Sequence, residues 1–194
     1  MNIIERVKNI LITPKTEWEV IKGETATPQS LLIGYVLPLA LVAAAGSLLK
    51  GLLFAGTFGL KFFIITAVIA FIASVVSYYV SVIIIDMLAP SFGSEKNMGK
   101  SAQLVGYSGT PSYVAALLSF IPVVGMIVWL AALAYGIYLM YLGIGPLKKT
   151  PEDKKIVYMV VAFLIMIVLY LVLVAILTAV LFATLGMGAG GGLF

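Results

Sequence analysis

Asp86 is the only acid inside an apolar run of this chain, and an ionisable group at such a depth marks a functional site by default. It also stands three residues before Ala89-Pro90, where it would anchor a helix end at the headgroup level and pair with Lys96 or Lys100. A second candidate is Gly106-Tyr107-Ser108-Gly109-Thr110-Pro111, a helix-breaking hexapeptide within 47 uncharged residues between Lys100 and Lys148. A break inside a membrane frees carbonyls and amides, which transporters use to hold substrate. The plainer reading is a proline kink relieved by neighbouring helices. Gly106, Tyr107, Gly109 and Pro111 are the residues at stake. Tyr107 is expected to bond inside the bundle, to a freed carbonyl or to Asp86, because an unpaired hydroxyl in hydrocarbon is costly. Tyr135, Tyr138 and Tyr141 recur every three residues on one side of a helix. They would line a polar groove or, more plainly, pack (Tyr135, Tyr138) and mark an interfacial aromatic belt (Tyr141).

Other chemistry is excluded by composition. The chain has no cysteine and no histidine, which removes disulfides, thiolate or imidazole metal sites and histidine proton shuttles. There is no Ser/His/Asp set, no close carboxylate pair and no phosphate-cradling glycine loop. No catalytic residue, cofactor or metal is therefore assigned, and a non-enzymatic protein is expected. The net charge of +4 comes from basic residues at helix ends, a pattern of membrane topology and lipid contact rather than of nucleic-acid binding.

The elements that must position these residues are membrane helices. With 62% hydrophobic residues and a mean hydropathy of +1.17, too little polar surface remains to coat a water-soluble globule. The apolar runs predict five spans, at 29–54, 61–89, 100–121, 123–147 and 151–185, with the third broken near Gly109. The expected fold is an all-α integral membrane bundle of five helices with an N-terminal amphipathic interfacial helix. It divides into a cytoplasmic segment 1–28, a membrane domain 29–185 and a flexible glycine-rich tail 186–194. Five spans put ten basic residues inside and leave only Lys50 and Lys61 outside, whereas four spans would split them evenly. The positive-inside rule thus predicts an inner-membrane protein with a cytoplasmic N-terminus and an external C-terminus.

Before the first span, Ile3, Ile4, Val7, Ile10 and Leu11 form one face of a helix that would lie in the interface or against the bundle. Thr13-Pro14 starts a second short helix carrying Trp18, whose ring suits the headgroup level. Arg6, Lys8, Lys15, Trp18, Lys148, Lys149, Lys154 and Lys155 together form the expected face toward lipid headgroups or a partner.

Three stretches in this order and spacing carry a resemblance. They are Arg6-Val7-Lys8-Asn9-Ile10 leading to Pro14-Lys15-Thr16-Glu17-Trp18, then Gly106-Tyr107-Ser108 with Pro111, then Tyr135-Gly136-Ile137-Tyr138-Leu139-Met140-Tyr141-Leu142-Gly143 before a basic proline-containing loop. The chain resembles the Yip1 family of multi-pass membrane proteins, in a short form that looks prokaryotic. The resemblance implies a membrane scaffold or trafficking-type factor, with membrane lipids and a membrane-protein partner or a second copy as the company it keeps. Eukaryotic relatives bind prenylated small GTPases, but their Asp-Leu-Tyr-Gly-Pro motif has no clear copy here, which argues against such a partner. The competing expectation is a small oligomeric channel, transporter or lipid scramblase built on the broken third helix.

Overall fold

A computed structural model describes residues 2–118 and 121–184, and every described element is helical. The expected tail 186–194 and the side chains of Lys50 and Lys61 lie outside the described set. Helix α1 spans Ile3–Ile12, with Asn2 accepting from the Ile4 N–H as its cap. Helix α2 spans Pro14–Gly23 and opens on a proline, whose missing N–H costs nothing at that position. The two form a hairpin that stands along the bundle. Its tip reaches Tyr135, whose hydroxyl donates to the Leu11 carbonyl at 2.7 Å. Tyr135 lies thirteen residues from Lys148, or about 20 Å along the helix. Of the two placements open to the N-terminal segment, the structure therefore has the one against the bundle rather than flat in the interface.

The next helix starts as α3, Pro28–Leu31, behind a Thr27–Ser30 capping box. It passes through a π-helical turn at Leu32–Val36 and continues as α4, Leu37–Leu88. The π turn has a local cause. Pro38 has no N–H and its ring would strike the carbonyl four residues back, so the preceding turn widens and Leu37 N–H bonds Leu32 O instead. Although α4 is helical over 52 residues, it doubles back on itself. The Tyr78 hydroxyl donates to the Pro28 carbonyl, and Val36 and Tyr78 both pack on Gly106. A straight helix would hold Val36 and Tyr78 about 63 Å apart. The chain thus makes two apolar arms, Pro28–Gly46 and Phe63–Phe92, with the reversal between them.

Helices α5 (Met98–Ser108) and α6 (Thr110–Ala116) follow, divided at Gly109. Then come α7 (Pro122–Lys148) and α8 (Glu152–Thr184). Among the described residues, four segments are long and apolar enough to cross a membrane: the two arms, Val123–Lys148 and Glu152–Val180. The expected third span is the exception, because the division at Gly109 leaves two helices that are each too short to cross alone. The core gathers where α2, α4, α5, α7 and α8 meet, around Trp18, Val82, Ile85, Leu104, Leu139 and Tyr158.

Candidate functional site: polar clusters at one end of the bundle

The helix break is filled. Pro111 cannot supply the N–H that would bond the Tyr107 carbonyl, and the Thr110 hydroxyl takes its place, donating at 2.7 Å. With that proton committed, the Tyr35 hydroxyl must donate to Thr110 Oγ1, also at 2.7 Å. The π turn of the first arm and the proline break of α5–α6 are therefore joined by one directed chain, Tyr35 to Thr110 to Tyr107 carbonyl. Two glycines allow the close approach. A Cβ on Gly106 would lie 2.5 Å from Leu31 Cδ2, and one on Gly136 would lie 3.0 Å from the Ser108 carbonyl. Ser108 Oγ is buried here without a protein partner.

Asp86 does not pair with Lys96 or Lys100. Its Oδ1 accepts from Lys148 Nζ at 3.0 Å, Ser101 Oγ at 3.0 Å and the Asn97 N–H at 2.7 Å. The Lys148 ammonium also donates to Ser101 Oγ at 2.7 Å and to the Asn97 carbonyl. Both charged side chains are buried, Lys148 at 0% exposure and Asp86 at 3%. The expected partner was nearer in sequence, but α5 packs on both α4 and α7, and Lys148 at the end of α7 reaches past the start of α5 to Asp86. Lys100 is used elsewhere. Its ammonium donates to the carbonyls of Ile21, Lys22 and Glu24, and so closes the C-terminal end of α2.

The second cluster surrounds Arg6. Its guanidinium bonds Glu17 and Glu24, and it lies over the Tyr107 ring at 5.1 Å from the centroid. Tyr107 meets Tyr35 edge-on at 4.8 Å and Trp18 at 6.3 Å. It points into the bundle as expected, but the contacts that hold it are made by its ring, to neither Asp86 nor a freed carbonyl. Arg6, Glu24, Tyr35 and Tyr107 line a cavity of about 540 Å³ between the N-terminal hairpin and the start of the first arm.

The expected basic and aromatic face is smaller than the sequence implies. Arg6, Lys148 and Lys155 are buried in ion pairs, and Trp18 is packed against Leu104 and Gly143 instead of reaching headgroups. Lys8, Lys15, Lys149 and Lys154 remain exposed. On α1 the buried side is turned toward Arg6 and Ile10, leaving Ile4 74% exposed. The reason is electrostatic: Glu17 and Glu24 draw Arg6 inward, and the helix rotates with it. Tyr135 packs against the core and also bonds the Leu11 carbonyl, whereas Tyr138, tilted against it at 5.7 Å and expected to pack, is exposed like Tyr141. Sequence reasoning missed Glu17, Glu24, Tyr35, Ser101 and Thr110. Pro38 was a legible signal for the π turn, whereas Glu24 stands past the end of α2 in extended backbone, so no helical spacing links it to Glu17.

Comparison with known proteins agrees with this architecture. No curated protein and no solved structure matches the chain. The Yip1 domain family model matches residues 8–176, a stretch that runs from α1 into α8 and holds both polar clusters except for the first residues of α1. The chain therefore belongs to the Yip1 family and is a multi-pass membrane protein.

Proposed function

We propose that this chain is a non-enzymatic scaffold or trafficking-type organiser of membrane components, crossing the cytoplasmic membrane five times. In this reading α5 and α6 together make the fifth crossing. Their 19 residues, Met98 to Ala116, would extend roughly 28 Å, close to the ~30 Å hydrocarbon core. A helix divided at that depth is tolerable when protein groups satisfy its freed backbone, as the Thr110 hydroxyl does for Tyr107. The N-terminus is then cytoplasmic and the C-terminus external, consistent with the basic residues at the Lys148 end.

One observation carries the choice of scaffold over conduit. Asp86 is spent on Lys148, and Tyr35 and Thr110 on one another and on the Tyr107 carbonyl, so that apart from Ser108 Oγ the break opens onto packed or paired side chains. The transport reading draws support from the cavity beside Tyr35 and Tyr107, but the Tyr35–Thr110 bond closes its inner wall. Lys8, Lys149 and Lys154 form the surface for anionic lipid or a membrane-protein partner, at about 1 kcal/mol per charge near the membrane, while Lys15 stands near the hairpin tip, away from that end.

The test is a flux and lipid-scrambling assay on purified protein in liposomes, alongside recovery of membrane partners from cells. The expected result is no transport above empty vesicles, with partner recovery lost on reversing Lys8, Lys149 and Lys154 to Glu. Flux or scrambling that scales with protein would replace the scaffold reading. Reporters fused at Thr150 and after Phe194 should read as cytoplasmic and external, and a cytoplasmic reading at Phe194 would remove the fifth crossing.

A further inference from the structure

The ionic groups around the cavity between the N-terminal hairpin and the first arm are balanced and committed. On its wall Arg6 faces Glu24. Behind that pair, Glu17 bonds the other side of the guanidinium and Lys100 lies on the Glu24 carbonyl, so the pair on the wall and the pair behind it are each neutral. Arg6 gives both ends of its fork to carboxylates, and the Lys100 ammonium is shared among three carbonyls. A phosphate entering here would find no unengaged cation, and an ammonium would find a carboxylate already neutralised. An ionic headgroup would lose its hydration with no counter-charge in return.

What remains is neutral hydrogen-bonding capacity. Tyr107 is only 7% exposed, with its ring fixed by Arg6, Tyr35 and Trp18, yet its hydroxyl has no partner among the described residues. It is not sealed among side chains as Ser108 Oγ is, so the surface it keeps lies on the cavity that it lines. Glu24 accepts from Arg6 through Oε1, which leaves Oε2 on a side chain 38% exposed. The adjoining Thr25 hydroxyl, also on the wall, has no partner among the described residues either. One carboxylate oxygen and two hydroxyls around one cavity suit a ligand with several hydroxyls and no charge. The volume of about 540 Å³ is in the range of small-ligand sites.

The position of the cavity says how such a ligand arrives. Its outer wall is Gly23 to Ala26, just before a candidate span begins at Pro28, and its inner end is Tyr35, two turns inside. That is the depth at which a headgroup gives way to acyl chains. The side toward the membrane is open at Gly34, which is exposed and where an added Cβ would meet nothing within 4 Å, beside Ile33 at 58% exposure. We propose that this cavity binds the headgroup of an uncharged glycolipid, a hexose carried on diacylglycerol. Sugar hydroxyls donate to Glu24 Oε2 and exchange hydrogen bonds with the hydroxyls of Tyr107 and Thr25. The acyl chains leave past Gly34 along the apolar side of the first arm. A soluble sugar would offer the same hydroxyls but nothing to fill that lateral opening, which is why the occupant is a lipid.

The experiment is native mass spectrometry of the full chain, purified in an amine-oxide detergent that carries no sugar and equilibrated with equal amounts of glucosyl-diacylglycerol, phosphatidylethanolamine and phosphatidylglycerol. The wild type should retain the glucosyl lipid about tenfold over either phospholipid. Tyr107→Phe removes a hydroxyl that bonds nothing in the protein, so it should melt with the wild type and lose most of that preference. Gly34→Leu, which fills the mouth without a clash, should lose it as well, while Leu164→Ala, on an exposed face of α8, should keep it. Equal retention of the three lipids, or a glucosyl preference intact in Tyr107→Phe, would overturn the assignment. A Tyr107→Phe variant melting well below the wild type would show the hydroxyl to be bonded within the protein, and would overturn it too. Displacement of the lipid by methyl glucoside at equal concentration would reassign the cavity to a soluble sugar. Transport activity in liposomes would unseat the scaffold reading and leave this result unchanged.

Discussion

Replacing Lys148 by Met removes the one ammonium that faces the Asp86 carboxylate and leaves that carboxylate buried with two neutral donors, Ser101 Oγ and the Asn97 N–H. Breaking a buried pair from one side costs about 3–5 kcal/mol, because the surviving charge is neither hydrated nor compensated. The two remaining hydrogen bonds put Lys148→Met toward the lower end, about 3 kcal/mol. Asp86→Asn should cost about as much, because the amide Oδ1 still accepts from the ammonium but no anion balances a cation held at 0% exposure. The double variant, Asp86→Asn with Lys148→Met, removes both charges and keeps the amide bonded to Ser101 and Asn97. It should recover to within about 1 kcal/mol of the wild type, a coupling far outside the additivity expected of independent sites. Thermal unfolding in detergent micelles, followed by Trp18 emission, reads the series. At about 2–4 °C per kcal/mol for a chain of this size, the Lys148 variant should melt about 6–12 °C low. A single variant within 2 °C of the wild type, or a double variant as unstable as the worse single, would refute the claim that this pair holds the bundle end together.

Three further outcomes follow from the same contacts. Thr110→Val leaves the Tyr107 carbonyl and the Tyr35 hydroxyl unsatisfied and should cost about 2 kcal/mol in the same melting assay, whereas adding Pro111→Ala restores an N–H for the carbonyl and should recover about half. Gly143→Ala would set a Cβ 2.7 Å from the Trp18 ring and 2.8 Å from Leu104 Cδ1, so α2 must shift; a loss of about 1–3 kcal/mol and a red-shifted Trp18 emission are expected. Lys100→Met uncovers the carbonyls of Ile21, Lys22 and Glu24, and hydrogen exchange should quicken over residues 18–26 while the core of α7 stays protected.

What the sequence determined by itself is the set of elements. Hydrophobicity and helical period are local quantities, so the apolar runs announce membrane helices at 61–89, 123–147 and 151–185 without any partner being known, and the structure has apolar helices at 63–92, 123–148 and 152–180. Proline acts locally too. It lacks an N–H wherever it stands, and Pro14, Pro28, Pro111 and Pro122 each open a helix. The family was legible for the same reason, since its motifs are short stretches in a fixed order. What the tertiary structure decided is who meets whom. Asp86 lies 62 residues from Lys148, Arg6 lies 11 from Glu17 and 18 from Glu24, and Tyr35 lies 75 from Thr110. No periodicity encodes those separations. A lysine at a helix end is a headgroup contact or a buried counterion depending on which helix crosses it, and the cost of burying charge makes that choice only after the helices have packed. The same holds for α1, where hydropathy placed Ile4 inside and Arg6 outside. Glu17 on the neighbouring helix and Glu24 just past its end reversed that face, because pairing a guanidinium in a low dielectric outweighs covering one isoleucine.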